Sequence, residues 1–542
     1  MAADPDHDTR IETASLLAGD AVELEARFSG RLQFGTAGLR GPLGAGPNRM
    51  NRLLVRQAAA GVGRYLLAAG PAAGTNLATP ALGAGSVTGA GSASPEPLVV
   101  VGYDARHKSE VFALDTVRVL CAMGVRAALL PRPFPTPVLA YAVGALGAAA
   151  GVMVTASHNP PTDNGYKVFL ADGSQIVDPI DRYIAAEIDK IDPVDVELGE
   201  LDHPNLVRLD DAVLHRYLAM AGGARLRPDL QRQIKVVYTP LHGVGGETLL
   251  AAFSAAGLAA PRLVPSQADP DPEFPTVSFP NPEEPGTLDS LLQVATEADA
   301  DLALANDPDA DRLGVAIPTP DGGWRVLRGD EIGWLLADHI LTHTHGSDRL
   351  VVTTLVSSSL LGKMATAAGI HYVETFTGFK WIAAQRRVHR DLRFVFGYEQ
   401  ALGYLVTDCP ADKDGITAAI MMTEVAALAA AEGLTLLDRL SAIEARFGRH
   451  QVAERAIALE PAEGARRVAA LRSWPPTTLA GMAVTEVVDF PEANLIRLNC
   501  GPHARVQARP SGTEPKVKLY AETVGTAPEP LLDALAELLA AG

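Results

Sequence analysis

A chain of 542 residues is too long for one ordinary hydrophobic core, so several domains are expected. Its 47% hydrophobic and 20% charged residues make a globular composition, and 64 acidic against 46 basic side chains leave a formal charge of −18. That field disfavours a nucleic-acid backbone or an anionic membrane as partner, and an anionic ligand would need a local basic pocket.

The N-terminal MAADPDHDTRIETASLL carries acids where a signal peptide needs a basic and then an apolar segment, and no later apolar run reaches membrane-spanning length. The expectation is a cytoplasmic protein. FGTAGLRG follows, placing Arg40 between glycines. Residues 71–97, PAAGTNLATPALGAGSVTGAGSASPEP, have few large apolar side chains to offset the entropy of ordering and are expected to be a flexible surface insertion.

From Pro97 an apolar run (LVVVGYD), a helical stretch, a second run (VRAALLP), a second helical stretch (TPVLAYAVGALG) and AAAGVMVTAS succeed one another, the alternation of an α/β layer. GYDARHKS puts Arg106 after the first run, where a solvated loop arginine would serve as well. VTASHNPPTDNGYKVF, residues 154–169, then sets Ser157 beside His158 and carries Lys167. The surroundings lack the G-x-S-x-G elbow of hydrolases, and adjacency does not make His158 a base. From the residues alone, nucleophile and polar turn are both open for Ser157.

A second α/β round begins at Ile234 and ends in DLALANDPDADRLGVAI, with Asp307, Asp309 and Asp311 at alternate positions and Arg312 next. Three hard carboxylates on one loop suit a divalent cation such as Mg²⁺. A solvated acidic turn and a phosphatase with Asp307 as nucleophile remain alternatives. An EF-hand does not fit, because the positions that need Gly and Glu hold Arg312 and Pro318.

A third round starts near Leu350 and includes ETFTGFKWIAAQ, with Lys380, and FGYEQALGYLV, with Glu399; both side chains could meet a polar ligand or simply face water. ADKDGITAA, with Lys413 and Asp414, reads as a helix start. The last ninety or so residues change character to short strands and a final helix, a smaller α+β domain. Within them ARPSGTEPKVKLY gathers Arg509, Ser511, Gly512, Thr513 and Lys516, the guanidinium, hydroxyls and open backbone N–H groups that a phosphate dianion needs. Cys121, Cys409 and Cys500 are too scattered for a disulfide framework or a zinc site.

In this order, FGTAGLRG, GYDARHKS, TASHNPPTDNGYKVF, DPDADR, TGFKW, GYEQALGY and RPSGTEPK resemble the α-D-phosphohexomutase superfamily, from about Phe34 to Tyr520. YTPLHGVG and FPTVSFPNPEEPG are similar to the branch holding phosphoglucomutases and phosphopentomutases, with some phosphomannomutases. The resemblance implies a four-domain architecture around a central cleft: three related α/β domains at 1–220, 221–325 and 326–450, and a smaller C-terminal α+β domain at 451–542. It implies a phosphoryl group carried on Ser157, and Mg²⁺ bound by Asp307, Asp309, Asp311 and a phosphoserine oxygen. Arg40 and Lys167 would serve proton transfer or transition-state contact, and Arg312 would be a catalytic residue beside the metal centre. His158, Lys380, Glu399, Arg509, Ser511, Gly512 and Thr513 would bind the substrate.

The implied reaction moves phosphate between the 1 and 6 positions of a hexose through a sugar bisphosphate, which also acts as activator. Glucose phosphates are the expected substrates, with mannose and pentose phosphates as alternatives within the same chemistry. A Mg²⁺-dependent sugar phosphatase and a non-catalytic phosphosugar-binding protein stand outside it. Where many members carry Gly-Glu-x-Ser, Glu399 is followed here by Gln400, Ala401 and Leu402, so the sugar is not settled by this loop. The expected partner is a small phosphosugar, with no nucleic acid and no membrane; the oligomeric state is not encoded legibly.

Overall fold

The computed structural model describes residues 4–19, 21–35, 38–69, 96–510 and 515–541. The expected insertion at 71–97, apart from its last two residues, and Ser511, Gly512 and Thr513 lie outside the described residues. The chain forms two compact units, Met1–Leu327 with Leu402–Leu428, and Arg328–Ala401 with Ala429–Gly542.

In the first unit, strand Leu98–Tyr103 is apolar at consecutive positions and buried from Val99 onward. A strand covered on both faces requires that pattern, whereas a half-exposed strand would alternate. It lies between Arg126–Leu129 and Ala150–Val154, parallel to both, with Leu206–Arg208 parallel beyond. The chain then reverses, and Asp163–Leu170 and Leu39–Pro42 extend the sheet antiparallel. Helices Arg52–Ala69, Ser109–Ala122 and Ile180–Ile188 bury Val55, Val62, Phe112, Leu120 and Ile184 against Val101 and Val152 of this sheet.

The second sheet of this unit repeats the plan. Val236–Thr239 is flanked in parallel by Arg262–Leu263 and Leu302–Ala305, and Gly314–Pro318 and Trp324–Val326 follow antiparallel. In the second unit Arg349–Thr354 lies between His371–Thr375 and Arg393–Glu399, parallel to both. Three sheets in each of which one strand lies between two parallel neighbours match the three related α/β domains expected from the pattern. The C-terminal sheet differs: Glu486–Phe490, Leu495–Asn499, Ala504–Pro510, Lys516–Val524 and His450–Ala458 pair antiparallel throughout. Helices Pro461–Ser473 and Glu529–Ala541 close its core on Val506 and Leu519.

The sheets matter for function through their return loops. Residues 155–162 and 306–313 occupy the same topological place, between the last parallel strand and its antiparallel neighbour. Strand Arg393–Glu399 is likewise followed, after a short turn, by strand Gly403–Leu405. Each return holds one non-glycine residue with a left-handed φ: Ser157 at 54°, Ala310 at 55° and Leu402 at 61°. A side chain there costs about 1 kcal/mol or more, so surrounding contacts must hold each loop in place.

The helix Gly415–Ala431 starts at Asp414, whose Oδ1 accepts from the N–H groups of Ile416 and Thr417 at 2.9 and 3.1 Å, the helix start expected from ADKDGITAA. Gly415 is required at that point, since a Cβ would lie 2.3 Å from the Arg312 carbonyl oxygen. None of the three cysteines is in a disulfide, and Cys121 and Cys500 are buried. Among the described residues no single helix is long and apolar enough to cross a membrane.

In the second unit, buried Asp330 accepts hydrogen bonds from the Ser358 N–H at 2.8 Å and the Tyr398 hydroxyl at 2.7 Å. Burial pushes its carboxyl up to about 7 despite those bonds. The unfolded chain releases this proton near 3.8, so between about 4 and 7 folding takes up a proton and stability falls as pH rises. Asp330→Asn should remove that penalty. Urea unfolding at pH 8 should show the variant more stable than wild type, by up to about 4 kcal/mol, with the difference vanishing toward pH 4.

Candidate functional site

The first unit brings both return loops together. Ser157, only 2% exposed, donates its hydroxyl to Asp307 Oδ2 at 2.7 Å. Its backbone N–H donates to Thr155 Oγ1 at 2.8 Å, closing the turn that gives Ser157 its left-handed φ. His158 Nδ1 lies 3.3 Å from Ser157 Oγ. Burial, then the nearby Arg312 and Arg40 charges, hold His158 well below its ordinary pKa, so the ring is neutral near pH 7.

Arg106, which the sequence left without a role, anchors this loop from below. Its guanidinium donates to the carbonyl oxygens of Ser157 at 2.7 Å, Asn159 at 2.5 Å, Pro160 at 2.8 Å and Asp163 at 3.2 Å. A planar five-donor fork can satisfy several converging carbonyls at once, which an ammonium cannot. Asp104 completes the mount: it accepts from the Arg106 N–H at 3.0 Å and the Ser109 hydroxyl at 2.6 Å. Gly165 lets the following strand pass close, because a Cβ would sit 2.5 Å from the Thr155 carbonyl oxygen.

Asp307, Asp309 and Asp311 are fully buried, with one oxygen from each within 4.8 Å of the others. Lys167, from strand Asp163–Leu170, donates to Asp309 Oδ2 at 2.7 Å and Asp311 Oδ2 at 2.9 Å. Lys413 reaches Asp311 Oδ2 at 2.5 Å, and the Thr136 hydroxyl reaches Asp309 Oδ2 at 2.6 Å. Burial opposes ionisation of Asp309, yet Lys167 and Lys413 hold it well below the usual carboxylate range; Asp311 is lowered by the same lysines against burial and Asp309. Asp307 has no such lysine among the described residues, and burial with its two acidic neighbours pushes it up to about 8.

Two oxygens in this cluster, Asp309 Oδ1 and Asp311 Oδ1, are buried without a hydrogen-bond partner. Orphaned carboxylate oxygens in so close a cluster fit a hard divalent cation, which would supply the missing partner. Asp307 is poorly placed as the nucleophile of a phosphatase, since its Oδ1 accepts from the Arg312 N–H at 3.0 Å and its Oδ2 from Ser157. The Arg312 guanidinium pairs with Glu283 at 3.1 Å, and Arg40 donates to Asn159 Oδ1 at 3.2 Å, beside Ser157.

Lys380, Glu399 and Arg509 belong to the second unit. Glu399 Oε1 accepts from the Gly378 N–H at 3.0 Å, at the start of helix Phe379–Val388, which carries Lys380. Arg509 lies near the end of strand Ala504–Pro510, and Lys516 opens the partner strand. Sequence reasoning missed Thr136 and the carboxylate contact of Lys413. The helix-start motif announced the local role of Asp414, and nothing local announced a partner 102 residues away.

The chain matches phosphoglucomutase/phosphomannomutase α/β/α domains I, II and III over residues 74–195, 215–322 and 328–447. A Haemophilus influenzae protein named "Probable phosphomannomutase" is 40% identical, covering 90% of this chain and 96% of that protein. A Mus musculus phosphopentomutase is 37% identical over 80% of this chain and 70% of its own. A Staphylococcus epidermidis phosphoglucomutase is 32% identical, covering 90% of each.

The geometry sets two outcomes. Calorimetric titration with Mg²⁺ or Mn²⁺ should show one tight site in the wild type, weakened at least about tenfold by Asp309→Asn or Asp311→Asn. Hydrogen exchange should show the backbone of residues 157–163 protected by Arg106, with protection lost in Arg106→Ala and not recovered in Arg106→Lys.

Proposed function

The chain belongs to the phosphoglucomutase/phosphomannomutase family, and on that premise we propose that it moves a phosphoryl group between the 1 and 6 positions of glucose by way of Ser157. The family makes it a phosphosugar mutase, an isomerase acting by intramolecular phosphoryl transfer. The observation that carries the serine relay is the buried Ser157 hydroxyl, 2.7 Å from Asp307 Oδ2 and presented on a loop that Arg106 pins at four carbonyls.

In the first half-reaction a sugar hydroxyl attacks phosphorus on phosphorylated Ser157. The new P–O bond to the sugar forms as the P–O bond to Ser157 breaks, and the sugar's proton is matched by one returned to the serine oxygen. The resulting bisphosphate reorients, and Ser157 Oγ then attacks its other phosphate: the new P–O bond to Ser157 forms as the P–O bond to the sugar breaks, and the serine's proton is matched by one gained by the departing sugar oxygen. Such transfers need positioning and charge neutralisation more than covalent assistance.

Lys167, Arg40 and Arg312 supply fixed positive charge or proton contact around the reacting phosphoryl group. His158, being neutral, serves as a hydrogen-bonding contact rather than a cation. A Mg²⁺ held by Asp307, Asp309 and Asp311 would add Lewis-acid stabilisation of the phosphoryl oxygens. Lys380 and Glu399 would contact the sugar, and Arg509, Ser511, Gly512 and Thr513 its distal phosphate. The relatives carry mannose, pentose and glucose names, and these readings differ only in the sugar contacts.

Mass spectrometry of peptides from active enzyme should find phosphate on Ser157, and Ser157→Ala should lower turnover by about 10⁴-fold or more while sugar-phosphate binding remains measurable. Full turnover of that variant with no other phosphoserine would refute the relay, and stoichiometric release of inorganic phosphate would replace it with hydrolysis. With catalytic bisphosphate present, a panel of glucose, mannose and ribose 1-phosphates should give the highest kcat/KM for glucose. A higher value for either other sugar would reassign the substrate and leave the relay intact.

A further inference from the structure

Three cations and two carboxylates meet inside the second unit. Glu374 pairs with Arg497 at 3.1 Å and Arg505 at 3.3 Å. Glu522 pairs with Arg505 at 2.7 Å and also accepts from the Ser358 hydroxyl at 2.6 Å and the Ser359 N–H at 3.0 Å. Its Oε1 is further bonded to His450 Nδ1 at 2.7 Å. Buried Asp330 is bonded to the Ser358 N–H and the Tyr398 hydroxyl rather than to any of these cations.

The third cation, Lys363, has no carboxylate partner among the described residues. Its ammonium meets His450 Nε2 at 2.9 Å. That contact fixes the imidazole: Nε2 accepts from Lys363, so Nδ1 carries the proton and donates it to Glu522. Lys363 is therefore oriented, half-buried and left with two free donors, and the cluster holds one positive charge more than its two carboxylates balance.

That excess lies beside a hollow of about 80 Å³, lined by Ser359, Lys363, Asn499, His503, Arg505 and Glu522, whose carboxylate is already engaged by Arg505, His450, Ser358 and Ser359. The space admits several water-sized groups, enough for a small oxyanion. It lies at the opposite end of strand Ala504–Pro510 from the RPSGTEPK segment. Arg505 beside the hollow and Arg509 beside that segment are four residues apart, about 13 Å along an extended strand.

We propose that this hollow is a second anion site, built for one phosphate-sized oxyanion and separate from the place where the substrate's distal phosphate would sit. The oxyanion takes the free donors of Lys363 and neutralises the cluster. It also joins a chain of bonds that runs through His450 and Glu522 to Ser358 and Ser359. The adjacent Ser357 accepts from the Gln400 N–H at 3.1 Å and donates to Gln400 Oε1 at 3.1 Å, next to Glu399. Occupancy of the hollow is thereby linked to the strand end that carries Glu399.

The test titrates inorganic phosphate calorimetrically into the full-length protein saturated with glucose 1,6-bisphosphate, so that substrate phosphate positions are filled. One equivalent should bind to the wild type and to Lys363→Arg, and the affinity should fall at least about tenfold in Lys363→Gln, with circular dichroism confirming that both variants are folded. Crystals of the wild type soaked in selenate give a readout independent of any variant, with an anomalous peak expected at hydrogen-bond distance from Lys363 Nζ. Equal phosphate affinity in wild type and Lys363→Gln, or selenate found only beside Arg509, would overturn the site.

Discussion

Three fully buried carboxylates within 4.8 Å of one another are the constraint around which the first unit is arranged. Such a cluster is not tolerated in a low-dielectric interior unless protons, cations or both compensate it. The fold meets this demand from three directions: Lys167 from the first sheet, Lys413 from the segment that rejoins this unit, and Thr136 from the start of helix Thr136–Ala145. Asp307, which no lysine among the described residues reaches, is the carboxyl left to share with Ser157. Charge balance thus connects pieces of chain that are far apart in sequence, and the serine loop is drawn to the triad by the same requirement.

The arrangement also rests on a repeated piece of topology. In both sheets of the first unit, the loop that carries Ser157 or the three aspartates sits where the last parallel strand turns back on itself. A return of that kind exposes its residues at the end of a rigid strand and allows one strained position, and Ser157 and Ala310 occupy those positions with φ near +55°. The strain of Ser157 is held by Arg106, whose donors consume the carbonyls that a tight turn would otherwise leave unsatisfied. Ser157 therefore gains its orientation from backbone architecture, with His158 as a neutral neighbour.

The second unit solves an electrostatic problem of the same kind with the opposite sign. There the cations Arg497, Arg505 and Lys363 outnumber Glu374 and Glu522, and the imidazole of His450 bridges the remainder. Its bonds connect the C-terminal sheet to the segment Ser357–Ser359 and so to Gln400. The loop that departs from the Gly-Glu-x-Ser pattern is consequently fixed by its own unit: Gln400 is held by Ser357, and Glu399 by the Gly378 N–H.

Much of this was legible in the chain. Strands such as LVVVGY announce themselves because burial on both faces demands consecutive apolar residues, and the three α/β rounds follow from that rule. The Ser157 loop, the Asp triad and the Asp414 helix start were legible because each is a contiguous motif whose chemistry is local. What the sequence by itself determined was which segments would be buried strands, which loops carried ionisable groups, and which family they resembled. Only the tertiary structure decided which of those groups would meet. Lys413 finds Asp311 across 102 residues, Arg106 finds four carbonyls more than 50 residues away, and Lys363 is left without a carboxylate among the described residues. The partner of a buried charge is chosen by packing in three dimensions, and no local pattern along the chain records it.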